Sequence, residues 1–226
     1  MLQWLKGNKE TKNEKEIYPP PYRLKAFTLS EVLITLVIIG VIAAITVPTL
    51  IANSRKEETT ARLKKFYSTL EQVTYKAKAD GNDWEYWAEE AAEPIDSTPD
   101  TAKEFSEKYL LPYLVYHNYK ITGNYVTIYL NDGSYFRVKK GTCIDFNFDV
   151  NGAKKPNTAG RDVFTFVYCP KSTNNFTTAK IIPYHVKRVD TREKALDSCK
   201  NDSPYTCATL LLFDGWEFKD DYPYSI

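Results

Sequence analysis

The sequence predicts an α+β fold in which a long N-terminal α-helix packs on an antiparallel β-sheet. Residues Val32–Ala52 contain no charged side chain, and the segment that follows keeps hydrophobic residues at three- and four-residue spacing. Further along the chain, runs rich in β-branched and aromatic residues flank turn motifs. A chain of 226 residues is long enough for one well-buried domain and an appendage.

The first element is a continuous helix predicted from about Thr28 to Ala79. Its uncharged stretch Val32–Ala52 would span about 31 Å at 1.5 Å per residue, the thickness of a membrane's hydrocarbon core. Its later part carries one apolar face formed by Leu63, Phe66, Leu70, Val73 and Ala77. Gly81 and Asn82 supply a C-cap. Pro48 removes one backbone hydrogen bond and is expected to bend the helix.

The remaining elements follow in chain order. Residues 83–99 are predicted to form a loop with one short helix, and Asp100 is predicted to cap a helix that runs to Leu111. Asn131-Asp132-Gly133 is typical of a hairpin turn between the first two strands. The predicted strands are Tyr125–Leu130, Tyr135–Lys139, Thr142–Phe148, Val163–Cys169 and Thr209–Phe213.

The charge distribution predicts the orientation of this chain in a membrane. Lys and Arg total 30 against 29 Asp and Glu, so nucleic acid is not indicated as a partner. Basic residues outnumber acidic ones in residues 1–26, ahead of the apolar stretch. The positive-inside rule keeps such a leader in the cytoplasm, so the C-terminal part is expected to be exported.

The four cysteines are Cys143, Cys169, Cys199 and Cys207, all in the C-terminal half. An even count without C-x-x-C spacing favours two disulfides over a metal site, and disulfides indicate an oxidising compartment. Three pairings are possible. We favour Cys143 with Cys169 and Cys199 with Cys207, because each pair brackets one coherent segment. Free buried thiols are the alternative.

Glu31 is a carboxylate at the head of the apolar stretch. A charged group inside a membrane helix costs about 2.5–3.5 kcal/mol at the centre and less near the interface, so such a residue usually has a partner. The apolar stretch is too long for an ordinary cleavable secretory signal. A simple signal anchor is the alternative, and it leaves Glu31 without a role.

The stretch Lys25-Ala26-Phe27-Thr28-Leu29-Ser30-Glu31, followed by the apolar run, resembles the N-terminus of type IV prepilins and type II secretion pseudopilins. The resemblance implies that prepilin peptidase cuts between Ala26 and Phe27 and that Phe27 becomes N-methylated. It also implies that Glu31 is the glutamate used in assembly. The family usually has glycine before the cut, where this chain has Ala26. Gly40 and Pro48 stand where family members commonly have a glycine and a helix-kinking proline.

The resemblance implies three regions and a structural function. Residues 1–26 would be a cytoplasmic leader that is removed, 27–80 a long helix with its membrane half at about 30–52, and 81–226 an extracytoplasmic α+β domain. The chain would be a filament subunit of a type IV pilus or a type II secretion-like pseudopilus, in the bacterial inner membrane and then in the filament. Its partners would be other subunits, prepilin peptidase/N-methyltransferase and the assembly machinery. The sequence does not choose among pilus, pseudopilus and DNA-uptake filament.

A second resemblance covers segments nearer the C-terminus. Asp145–Gly152, Lys155-Pro156-Asn157 and Gly160–Phe164 are similar to a segment of bacterial pilin-like proteins, as is the terminal Asp214–Phe218 with Tyr222-Pro-Tyr224.

Oxygen-bearing side chains crowd part of this segment, at Asp149, Asn151, Asn157 and Asp162, around a glycine suited to a sharp turn. Hard oxygen ligands favour calcium, although the EF-hand pattern is absent. Some pseudopilins hold calcium in a comparable loop, so possible Ca²⁺ binding is an expectation here. For Asp145 and Asn147, which precede this loop, we instead favour a strand end with one polar face.

No catalytic motif is present: the sequence contains no H-E-x-x-H, G-x-S-x-G, Walker loop or G-x-G-x-x-G. Asp220 and Asp221 are expected to be a solvated tail. We therefore expect a structural protein and not an enzyme. The competing hypothesis is a signal-anchored extracytoplasmic binding domain that never assembles.

Overall fold

The computed structural model describes residues 27–87, 99–141, 143–170, 180–186 and 188–226. The chain divides into two compact units, Met1–Thr46 and Val47–Ile226. A single helix, α1 (Leu29–Ala79), begins in the first unit and continues into the second. Together with a six-stranded antiparallel sheet it makes the fold α+β, so the predicted fold class is confirmed.

In the first unit, the described residues 27–46 consist of the start of α1 and the two residues before it. The apolar side chains along this part of the helix are exposed, and Phe27 and Leu29 keep 84% and 78% of their surface accessible. The helix is long and apolar enough to cross a membrane by length and composition. Pro48, just inside the second unit, lies within the helix without ending it; the bend remains a prediction.

The second unit contains the remaining helices. A 3₁₀ turn covers Trp84–Tyr86, and α2 (Pro99–Phe105) continues as a π-helical turn and a 3₁₀ turn to Tyr113. Near the C-terminus, α3 (Arg192–Asp197) continues as a π-helical turn to Asp202. A 3₁₀ turn, Pro204–Thr206, then leads into α4 (Cys207–Phe213).

The sheet is a meander in which each strand pairs with the next in chain order. All five pairings are antiparallel. Its strands are β1 (Asn118–Thr122), β2 (Tyr125–Tyr129), β3 (Tyr135–Lys140), β4 (Ile144–Asp149), β5 (Val163–Tyr168) and β6 (Ile181–Pro183). The predicted hairpin joins β2 to β3, where the amide of Leu130 donates to the carbonyl of Ser134 at 2.9 Å.

The core lies between one face of α1 and one face of the sheet. All five predicted helix residues are buried: Leu63, Phe66, Leu70, Val73 and Ala77. Phe66 lies at the centre of this contact, stacked on Phe148 with ring centroids 4.1 Å apart and within 5.6 Å of Phe136 and Phe166. Aromatic pairs of this kind add to the stabilisation from apolar burial.

The predicted C-cap of α1 is present as a Schellman motif. The amide of Asn82 donates to the carbonyl of Ala77 at 2.8 Å, and the amide of Gly81 donates to Lys78 at 3.1 Å. Gly81 has a φ of +79°, the left-handed conformation that this motif requires and that glycine adopts without strain.

Two predictions of local structure are wrong. Residues 209–213 were expected as a strand but belong to α4, because a short run of almost entirely apolar residues has no period that separates helix from strand. The preceding 3₁₀ turn starts the helical path, and α4 packs against β5 and β6. Asp100 lies in the first turn of α2 and not at its N-cap.

Candidate functional site

The start of α1 is a capping box formed by Thr28 and Glu31. Oε2 of Glu31 accepts hydrogen bonds from the amide and the hydroxyl of Thr28, at 2.9 and 2.8 Å. The hydroxyl oxygen of Thr28 accepts in return from the amide of Glu31 at 3.2 Å. This is the reciprocal S/T-x-x-E arrangement, and it satisfies amides that no helix residue can bond. A carboxylate in the first turn also interacts favourably with the helix dipole.

The second oxygen of Glu31 remains available. Within the part of the chain that the structure describes, Oε1 makes no hydrogen bond and no ion pair. Phe27 precedes the capping box and is largely exposed. Ala26, the other half of the predicted cleavage site, lies outside the described residues. At the helix start, Oε2 of Glu31 is therefore hydrogen-bonded, and Oε1 is available to a partner from outside the described residues.

The surface around this carboxylate is apolar over a long distance. Large hydrophobic side chains stay exposed along α1 from Leu29 to Ile51, among them Leu36, Ile39 and Leu50 at 60% or more. Soluble monomers rarely expose a continuous apolar surface of this kind, which marks a membrane or a protein partner as its natural environment.

The loop between β4 and β5 brings together the four oxygen-bearing residues that were expected to bind calcium. Asn151 donates through Nδ2 to Oδ2 of Asp162 at 3.0 Å. The amide of Asn157 donates to the same oxygen at 2.8 Å. Asp149 accepts through Oδ1 from the amide of Asn151 at 3.3 Å. These residues therefore form one hydrogen-bonded cluster.

Two buried oxygens of this cluster lack partners. Oδ2 of Asp149 and Oδ1 of Asn151 accept no hydrogen bond from the described residues. Burial raises the pKa of Asp149 to about 6; the nearby hydroxyl of Tyr135 opposes this rise, and repulsion from Asp162 adds to it. Orphaned oxygens beside a second carboxylate are a donor set that suits a hard cation.

The fit to calcium is incomplete in the present arrangement. Both oxygens of Asp162 already accept amide hydrogen bonds, the second from Thr158 at 2.6 Å. The side-chain amide of Asn157, in the orientation that satisfies its donors, donates to the carbonyls of Lys154 and Gly152. Among the described residues, no group of three or more His, Cys, Asp or Glu lies close enough to hold a metal. Asp149 and Asn151 would supply the free ligands, and calcium stays a prediction.

The C-terminal tail closes over the same loop. The hydroxyl of Tyr222 donates to the carbonyl of Gly160 at 2.6 Å, and Nε of Arg161 donates to the carbonyl of Ser225 at 2.9 Å. Gly160 has a φ of +80°, and a Cβ there would lie 2.8 Å from the ring of Tyr224 and 2.9 Å from Sγ of Cys207. Only glycine fits this position, because both the backbone conformation and the space exclude a side chain.

Both predicted disulfides are present. Cys143 pairs with Cys169, which ties the residue before β4 to the residue after β5. Cys199 pairs with Cys207 and joins the π-helical turn after α3 to the start of α4. The hydroxyl of Tyr224 donates to the carbonyl of Cys199 at 3.2 Å, so the second disulfide also anchors the tail.

An ion cluster around Arg192 could not be predicted from the sequence. Its guanidinium contacts Asp214 at 2.5 Å and Asp221 at 2.7 Å. Asp221 was expected to lie in a solvated tail; it is exposed, and it also pairs with Arg192 because the tail folds back onto α3. Asp220 is exposed. Separations of 22 and 29 residues leave no local pattern that could have revealed these pairs.

Comparison with protein families places this geometry in a known class. The prokaryotic N-terminal methylation motif matches residues 23–47, the segment that contains the capping box and the predicted cleavage site. This motif is the signature of type IV pilins and pseudopilins, so the chain is a pilin-like or pseudopilin-like protein. Over residues 49–226 the chain matches, and belongs to, the family described as a family of unknown function (DUF6613). No curated protein and no solved structure matches the chain.

Proposed function

We propose that this chain is a structural subunit of a type IV pilus or a type II secretion-like filament and has no catalytic role. Prepilin peptidase removes residues 1–26, Phe27 is N-methylated, and the subunit enters the filament from the inner membrane through packing of its N-terminal helix. The observation that carries the proposal is the exposed apolar first half of α1, residues 29–52, whose one carboxylate, Glu31, keeps an oxygen available at the helix start.

Cleavage creates the positively charged partner that Glu31 lacks in the precursor. Hydrolysis of the bond between Ala26 and Phe27 leaves an amine on Phe27, which is positively charged after methylation. In an apolar bundle of helices, an isolated carboxylate or ammonium is strongly penalised, whereas a pair is tolerated. The amine of one subunit therefore docks on Oε1 of Glu31 in a neighbour, and this pairing sets the register between subunits.

The proposed location follows from the two halves of the chain. The basic leader keeps the N-terminus in the cytoplasm, and the apolar part of α1 anchors the subunit in the inner membrane. The two disulfides support an oxidising compartment for the second unit. The subunit is thus a single-pass protein before assembly and part of a filament afterwards.

Two variants at Glu31 separate helix capping from charge. Gln at this position can still complete the capping box, whereas Ala cannot. We expect both Glu31→Gln and Glu31→Ala to insert in the membrane and to be processed, yet to reach filaments at a small fraction of the wild-type level. Quantitative blotting of sheared filaments against the membrane pool measures this. Thr35→Ala, one turn further along the apolar helix, is the matched control and assembles normally.

Mass spectrometry of the protein from its native host tests processing directly. A mature chain that begins with N-methyl-Phe27 supports the proposal. An intact leader supports the alternative, a signal-anchored domain that does not assemble. Normal incorporation of Glu31→Gln would disprove the ion pair as the determinant of assembly.

A further inference from the structure

A cleft of about 630 Å³ lies within the second unit, between α1, the β2–β3 turn, the β4–β5 loop and the C-terminal tail. Five of its lining residues are basic: Arg55, Arg62, Lys154, Lys155 and Arg161. Three lining residues are acidic: Glu58, Asp132 and Asp162. We call this cavity the basic cleft.

The acidic side chains of the basic cleft are already engaged. Glu58 forms an ion pair with Arg62 at 2.9 Å, and Asp132 forms one with Lys65 at 2.9 Å. Burial raises the pKa of Asp132, but hydrogen bonds from Lys65 and Ser134 outweigh this effect and lower it to about 2. Asp162 accepts the loop amides described above. Glu58 and Asp132 are therefore paired with cations, whereas Asp162 is hydrogen-bonded to neutral amides and keeps its negative charge.

Most of the basic side chains of the basic cleft are not paired with a carboxylate of the described residues. Arg55, Lys154 and Lys155 are exposed, and within the described residues they form no hydrogen bond and no ion pair. Arg161 donates only to neutral atoms of Ser225, the carbonyl oxygen at 2.9 Å and Oγ at 3.2 Å. Against these four positive charges stands the carboxylate of Asp162, so the side chains of the cleft have an excess of positive charge.

The position of Arg55 along α1 relates the cleft to the membrane surface. Arg55 follows Ala52, the last residue of the uncharged stretch, by three residues, which is about 4.5 Å along a helix. The headgroup layer on each side of a bilayer is about 5–8 Å thick. With the uncharged stretch in the hydrocarbon core, Arg55 lies at the level of the lipid phosphates on the exported side.

We propose that the basic cleft binds the phosphate of an anionic phospholipid headgroup while the subunit resides in the membrane. The inference rests on the proposed membrane anchoring and adds a ligand to it. Arg55 can hold phosphate oxygens through two parallel hydrogen bonds, and Lys154 and Lys155 contribute point charges. An acidic segment of a second copy would also match the charge of the cleft. A protein segment would not need to bind at the level of the lipid phosphates, however, and Arg55 lies at that level. Leaving the membrane for a filament would require release of this lipid.

The test uses the full chain reconstituted in vesicles of equal parts phosphatidylglycerol and phosphatidylcholine. After mild detergent extraction, native mass spectrometry counts the lipids retained per chain. A lysine near an anionic surface contributes roughly fivefold in affinity, so Lys154→Ala/Lys155→Ala should lower affinity for phosphatidylglycerol roughly 25-fold. Lys76→Ala/Lys200→Ala is the matched control, since it removes two exposed lysines outside the cleft and should leave retention unchanged.

The outcomes separate this proposal from its alternatives. Preferential retention of phosphatidylglycerol that is lost only in the cleft variant supports it. Equal loss in both double variants overturns it, as does binding of inorganic phosphate by detergent-purified chain without any preference for phosphatidylglycerol. A carbodiimide cross-link from Lys154 to a second copy would assign the cleft to a subunit contact instead. Failure to insert even in phosphatidylcholine vesicles would refute the membrane anchoring itself, a result distinct from the others.

Discussion

Thr28 and Glu31 bond reciprocally at the start of α1, with the amide and hydroxyl of Thr28 donating to one oxygen of Glu31. The carboxylate is therefore held in the first turn before any partner chain is present. A charged group in an apolar helix is tolerable there because it satisfies helix amides that would otherwise lack a partner. One residue thus contributes both to the helix start and, as proposed, to assembly.

Loss of the Thr28 hydroxyl should loosen this first turn. We expect Thr28→Ala to cost about 1 kcal/mol locally, which corresponds to roughly fivefold faster amide hydrogen exchange at Ser30 and Glu31. NMR of the full chain in detergent micelles measures the exchange. Thr28→Ser keeps the hydroxyl and should exchange like the wild type. Equal exchange rates in all three proteins would show that the capping box does not form in micelles.

Asp149 makes stability depend on pH. Its pKa is raised from 3.8 to about 6 in the folded protein, so the folded state keeps a proton that the unfolded state releases. Stability is therefore expected to fall as pH rises from about 4 to about 6, by up to about 3 kcal/mol. Asp149→Asn removes this fall and should be more stable than the wild type at pH 7 in the presence of a chelator.

The measurement is urea unfolding of the full chain in a mild detergent, followed through the fluorescence of the buried Trp84 and Trp87. Asp145, whose pKa burial also raises to about 6, is present in both proteins and cancels in their difference. Asp132→Asn is the opposite control: its pKa is lowered, so its charged form stabilises the fold and the substitution should destabilise at pH 7. A pH profile of Asp149→Asn identical to the wild-type profile would contradict the assignment.

If calcium binds the loop, it should offset the loss of stability that ionised Asp149 causes at pH 7. The orphaned oxygens of Asp149 and Asn151 would gain a cationic partner, so calcium should raise the melting temperature of the wild type at pH 7 and a chelator should lower it. Asp149→Asn should lose most of this response, while Asp145→Asn, outside the loop, keeps it. The absence of any calcium effect in both calorimetry and melting would rule out the site.

The two disulfides should contribute unequally to stability. Cys143 and Cys169 are separated by 26 residues, and Cys199 and Cys207 by 8. The larger loop restricts the unfolded chain more, so the paired Cys→Ala changes should cost about 3.5 and about 2.5 kcal/mol respectively on the chain-entropy model. Urea unfolding of each double variant measures the loss. The reverse order would mean that the links of the second disulfide to the tail matter more than loop closure.

Local patterns in the sequence were sufficient for much of the fold. The helical spacing from Leu63 to Ala77 correctly predicted the five residues of α1 in this range that are buried in the core. Asn131-Asp132-Gly133 correctly predicted the β2–β3 hairpin. Strands β1 and β6 were missed: β1 is mostly exposed on both faces, and β6 has only three residues, so neither carries a readable alternation. For α4, the almost continuous run of apolar residues carries no periodicity that separates helix from strand.

The sequence by itself determined the long apolar helix, the carboxylate at its start and the class of protein, because each of these depends on neighbouring residues. It favoured one of three disulfide pairings, and the structure decided among them. Only the tertiary structure decided which charges are compensated. Arg192 pairs with Asp214 and Asp221 across the fold, while Arg55 and Lys154 share a cleft and form no ion pair with any residue that the structure describes. Charge compensation depends on distances of a few ångströms between residues far apart in the chain, and these distances exist only once the tail and the β4–β5 loop have folded against α1.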